Sequence, residues 1–107
     1  MCATQCLPNT LSIALPGAHA PTMVHTLASA VALSAGAACH SAASPSSAAA
    51  MHASHVLTAM HVPSELAVCT LRMSLGAFST EEDMRRAASL IADAAVSVCA
   101  HAGHAAC

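Results

Sequence analysis

The chain predicts an α+β fold, about three short strands with packed helices, and three stretches carry that prediction. Thr10–Leu15 and Thr70–Leu75 alternate apolar and polar residues, the period of a strand with one buried face. From Thr80 to a stop at Gly103, apolar residues instead recur every three or four positions, the period of an amphipathic helix. With 107 residues there is room for one domain at most.

The elements follow in order. Leu11, Ile13 and Leu15 share one face of a first strand, closed by Pro16-Gly17. Pro21 suits the first turn of a short helix over about 22–29, because its missing N–H has no helical partner there. Ala30–Ser34 reads as a weak second strand with Val31 and Leu33 on one side. A long loop follows, and its segment 42–50 (AASPSSAAA) is low in complexity. Ser54 is placed to cap a short helix carrying Val56, Leu57 and Met60, and Ser64 after Pro63 to cap another turn.

In the strand over Thr70–Leu75, Leu71, Met73 and Leu75 face one way, while Thr70, Arg72 and Ser74 face the other. Thr80 and Asp83 then stand in the capping-box relation, with Asp in place of the usual Glu or Gln. Glu81, Glu82 and Asp83 lie at the positive end of the helix dipole, where acids are favoured. Met84, Ala88, Ile91, Ala95 and Val98 form an apolar stripe suited to packing on a sheet.

Composition excludes several functions. There is no lysine, and the bases Arg72, Arg85 and Arg86 are outnumbered by Glu65, Glu81, Glu82, Asp83 and Asp93. A net charge of −2 and a single aromatic residue, Phe78, supply neither the electrostatic footprint nor the stacking surface of a nucleic-acid binder. Thr26–Cys39 is the nearest approach to a membrane span, but it is interrupted by serines and flanked by His25 and His40. A span needs about 20 apolar residues, so no membrane segment is expected. No positive segment opens the chain, so a cytoplasmic location is expected, with an organellar one requiring a targeting segment upstream. Much of the apolar content is alanine, which buries little area, so the core is expected to be thin. The six cysteines occur without the loop-rich look of a disulfide scaffold, and a reducing compartment is expected.

Three groups of residues carry possible chemistry. Cys39 follows Gly36-Ala37-Ala38, small residues that let a loop move and approach a ligand. A thiol acts as a nucleophile when ionised, and protonated His40 beside it would favour the thiolate, although neighbours in extended chain point apart. On composition alone, the favoured reading of Cys39 is an inert, buried small hydrophobe. Arg72 lies on the polar face of its strand, where a guanidinium can hold a carboxylate through two parallel hydrogen bonds. The alternative for Arg72 is a surface ion pair with Glu65 or an acid of the last helix. Finally, Cys99, His101, His104 and Cys107 form a compact tail of ligands suited to zinc or copper(I). That spacing matches no established finger, and a metal-binding or scaffold module stands as a reading of a different class.

Four blocks stand in a fixed order: Ser34–Ser41 (SAGAACHS), 54–67 (SHVLTAMHVPSELA), Leu71–Gly76 (LRMSLG) and 79–94 (STEEDMRRAASLIADA). With LPNTLSIALPG at 7–17, they resemble the C-terminal small domain of the selenocysteine lyase and cysteine desulfurase family over residues 7–98. This family is the class-V branch of the pyridoxal-phosphate (PLP) fold-type I enzymes. The resemblance implies that 1–107 is a single partial unit, the small domain, without the large PLP-binding domain. It implies a cysteine at Cys39 that attacks the sulfur or selenium of the substrate, and an arginine at Arg72 that binds the substrate carboxylate. His40 is a local candidate to assist, while Asn9 and Ser12 receive no role. Residues 42–53 read as an expanded catalytic loop. PLP bound by the large domain, in cis or in trans, and a homodimer of the complete enzyme are also implied.

The loop leans toward a selenocysteine lyase, which converts L-selenocysteine to L-alanine and selenium. The VPSELA and STEED blocks look closer to cysteine desulfurases, which convert L-cysteine to alanine and an enzyme persulfide. The chain departs from the family in three places. Ala77 stands where an arginine is common, and His61 stands where glycine usually closes a helix with a left-handed residue. Most important, PLP enzymes hold the cofactor as an imine to a lysine, and this chain has none, so alone it is expected to be inactive.

Overall fold

A computed structural model describes residues 7–36 and 54–101. Its elements run β1 (Thr10–Ala14), α1 (Ala20–Leu27), β2 (Ser34–Ala35), α2 (His55–Ala59), α3 (Ser64–Ala67), β3 (Thr70–Ser74) and α4 (Glu81–His101). The class is α+β, as the alternating and helical periods require. The strands form one antiparallel sheet in the order β1-β3-β2. The second strand is shorter and later than its sequence pattern suggests. Backbone bonds from Ala30 and Val31 to the Leu27 carbonyl extend the end of α1, so pairing begins only at Ser34.

Register follows from alternation on β3. Leu71 pairs with Ile13 on β1 and Ala35 on β2, so these three side chains share a face. On that face Leu71 is fully buried against a core of Ala18, Ala20, Met23, Leu27, Ile91 and Ala94. Met23 and Leu71 are the largest fully enclosed side chains, and much of the rest of the core is alanine. The core is thin, as the composition implies. At the sheet edge, Leu11 and Ile13 keep 57% and 37% of their surface, because the helices cover the β3 side of that face more fully.

α4 packs against α1. Its inward stripe consists of Ile91 and Ala94, with Leu90, Ala95, Val98 and Cys99 partly buried beside them. Ala88 is exposed, one position off the expected stripe; Ala87 takes the inward side instead. The helix start matches the capping-box pattern closely. The Asp83 N–H donates to Thr80 Oγ1 at 3.2 Å, and Asp83 Oδ2 accepts from the Thr80 N–H at 3.0 Å and the Thr80 hydroxyl at 2.8 Å. These bonds, the side-chain one first, hold the Asp83 carboxyl below its ordinary range, with Arg86 adding a smaller attraction.

The end of α2 shows how backbone geometry outlasts a residue change. The Val62 N–H reaches the Leu57 carbonyl and the His61 N–H reaches that of Thr58, the two bonds of a Schellman motif. The motif requires a left-handed residue, and His61 takes that position with φ 60°. The left-handed cap survives the absence of glycine, at a cost of about 1 kcal/mol in Cβ strain.

Two outcomes follow. His61→Gly will raise stability by about 1 kcal/mol in chemical denaturation, since glycine relieves that strain. The lowered Asp83 pKa contributes stability above the ordinary carboxylate value of about 3.9, lost as pH falls through the folded value. Melting curves of the wild type and Asp83→Asn will therefore differ most near neutrality and converge in acid.

Candidate functional site

The face of the sheet opposite the core is polar, and Arg72 stands at its centre. Ser12 on β1 and Ser34 on β2 are the cross-strand partners of Arg72, so all three side chains rise from one row. The Arg72 Nη2 donates to Ser34 Oγ at 3.3 Å. No acid pairs with Arg72 among the described residues, where the ion pair is Arg85–Glu81 on the surface of α4. The surface-pair alternative for Arg72 is thereby set aside. Its remaining guanidinium donors face a cavity.

That cavity, about 310 Å³, is lined by Ser12, Gly36, Ser54, His55, Val56, Leu57, Thr70 and Arg72. Its volume sits at the small end of the range for ligand sites. One wall is the polar sheet face, and another is the start of α2. Thr70 Oγ1 donates to the Leu66 carbonyl at 2.7 Å, which ties α3 to the strand that carries Arg72. α2 in turn contacts α3, so the helical wall is anchored through Thr70. Gly36 and Ser54 border the segment 37–53 on its two sides, and both line the cavity. Gly36 has φ 72°, a conformation that its missing Cβ permits, and space around it is open.

The other sequence-derived candidates fall elsewhere. Cys39, His40 and the loop 42–53 lie outside the described residues, as do His104 and Cys107. Cys99 and His101 lie two positions apart on α4, about 200° around the helix. Cys99 is partly buried, with its thiol 3.9 Å from the Pro16 carbonyl oxygen. His101 is exposed, and its Nδ1 lies 2.7 Å from the Ser97 carbonyl oxygen. These two potential ligands diverge, and no cluster of three or more metal-ligating side chains occurs among the described residues. No helix among them is long and apolar enough to cross a membrane. Sequence reading assigned no role to Ser12, Ser34, His55 or Thr70. Strand parity had already placed Thr70 on the Arg72 face, whereas Ser12 could join it only once the register was known.

A three-stranded antiparallel sheet with α1 and α4 on one face, and on the other an arginine-bearing cavity walled by α2, defines a small α+β domain with a site suited to an anion. No family model matches the sequence. It is, however, 41% identical over 92 residues to a cysteine desulfurase of Frankia sp. (strain EuIK1), covering 86% of this chain and 20% of that protein. A cysteine desulfurase of Sinorhizobium fredii is 38% identical over 86 residues, covering 79% of this chain and 20% of that protein. The cysteine desulfurase IscS of Dictyoglomus turgidum is 33% identical over 79 residues, 73% of this chain and 18% of that protein. The chain thus spans about a fifth of the length of the curated relatives it matches. These matches place the chain in the cysteine desulfurase family, over a share of length consistent with a C-terminal small domain.

Gly36→Ala will lower stability by about 1 kcal/mol in denaturant titration, through backbone strain rather than collision.

Proposed function

We propose that this chain is the small domain of a cysteine desulfurase, in which Arg72 binds the carboxylate of the amino-acid substrate and Cys39 receives its sulfur. The observation that carries the reading is the shared cavity: Arg72 and Gly36, three residues before Cys39, line the same space. A guanidinium on a strand gives the carboxylate a fixed partner and a fixed orientation. The substrate sulfur leaves its carbon for the Cys39 sulfur, forming a persulfide, while the carbon skeleton ends as alanine. His40 is the local candidate to favour the Cys39 thiolate.

Cysteine is the better supported substrate, because the relatives carry the name cysteine desulfurase. The selenocysteine lyase reading rests on the Gly-Ala-Ala-Cys-His-Ser loop, and it comes second. The expected cofactor, PLP, does not fit this chain by itself. PLP needs an imine to a lysine, and the 107 residues contain none. The cofactor and its proton-moving amine therefore belong to a large domain, supplied in cis or in trans. A homodimeric, cytoplasmic enzyme acting on a small amino acid, without nucleic acid or membrane, completes the proposal.

The test supplies the remaining length of a cysteine desulfurase relative in trans. The chain alone with added PLP will release no alanine from L-cysteine. The reconstituted pair will release alanine and leave a persulfide on Cys39, detected by mass spectrometry. Arg72→Ala will raise KM by tenfold or more, roughly the loss of one charge-assisted bidentate contact. A pair that associates and binds PLP but releases no alanine refutes the proposal.

A further inference from the structure

We infer that His55 is a second cationic contact for the carboxylate held by Arg72, so that the cavity binds carboxylates more tightly when the imidazole is protonated. The inference rests on the carboxylate role proposed above for Arg72 and adds a proton-linked determinant to it.

Of the described residues that line the cavity, only Arg72 and His55 ionise; the others are Ser12, Gly36, Ser54, Val56, Leu57 and Thr70. No acid occurs among the described residues that line it. β1 and β2 carry no ionisable side chain, and Arg72 is the only one on β3. On the helical side, Glu65 of α3 and His61 of the α2–α3 turn are ionisable, and neither lines the cavity.

His55 reaches its place because α2 starts there. Ser54 is the N-cap residue, and its carbonyl accepts the Thr58 N–H, so the first residue of the helix meets the cavity. The residue is exposed, so a ligand in the cavity can reach it. Histidine is the side chain whose charge ordinarily changes between about pH 5 and 8. With the cavity empty, a second positive charge opposes Arg72; with a carboxylate present, both charges attract it. Ligand and proton are then linked, each favouring the binding of the other. For exposed charges the coupling is modest, a three- to fivefold gain in affinity across the titration.

The probe is N-acetyl-L-alanine, whose carboxylate stays ionised over that range and which carries no amine. The full chain is titrated with it at about pH 5 and pH 8, the limits of the histidine range, following backbone amide shifts. Binding three- to fivefold tighter at the lower pH, lost in His55→Gln but kept in His61→Gln, supports the inference. Binding that Arg72→Gln abolishes but that is equally tight at both pH values overturns the inference and leaves the Arg72 reading standing. Binding that His61→Gln flattens overturns it too, assigning the proton elsewhere. No binding by the folded wild type at either pH overturns both the inference and the carboxylate role of Arg72.

Discussion

The alternation of β3 is the constraint on which the rest of the structure depends. Leu71 turns into the core and is fully buried, so Arg72 must turn the other way. A slip of one residue would exchange them, burying a guanidinium and exposing the largest core side chain of the sheet. Because β3 is the central strand, its register also decides what flanks Arg72. Ser12 arrives from one side and Ser34 from the other, and neither would do so in another register. Core and cavity therefore occupy opposite faces of the same five-residue strand.

This separation explains how an alanine-rich core coexists with a defined polar site. α1 and α4 pack beneath the sheet through Met23, Leu27, Ile91 and small residues. Nothing in that layer lines the cavity. The cavity wall is set instead by Thr70, whose hydroxyl holds the Leu66 carbonyl, and by the Schellman turn that closes α2. His61 illustrates the strength of the turn. Its hydrogen bonds compensate for a strained left-handed residue, so a glycine is not required to keep α2 in place.

Much of the fold was legible in the sequence, for reasons tied to particular residues. β1 and β3 were visible because their alternation survives among alanines and serines. The start of α4 was visible because Thr80 and Asp83 are spaced for reciprocal bonds. β2 was misplaced, because Val31 and Leu33 mimic a strand while the backbone there is still finishing α1. The stripe of α4 was off at Ala88, since alanine marks neither an inward nor an outward face. Arg72 was legible as a polar-face residue from β3 alone. The bond of Ser34 to Arg72 and the place of His55 on the cavity wall were not, because they depend on strand pairing and on where α2 begins, both long-range facts. Of the four potential metal ligands, helix geometry separates Cys99 from His101, while His104 and Cys107 lie outside the described residues.

The most direct test of the central claim uses the chain's own composition. It has three arginines and no lysine, so phenylglyoxal modification can be mapped by peptide mass without competing lysine amines. L-alanine, present during the reaction, should slow modification of Arg72 while Arg85 and Arg86, on the surface of α4, react at unchanged rates. Equal rates at all three arginines, with or without L-alanine, would contradict the assignment of the polar sheet face as a carboxylate site.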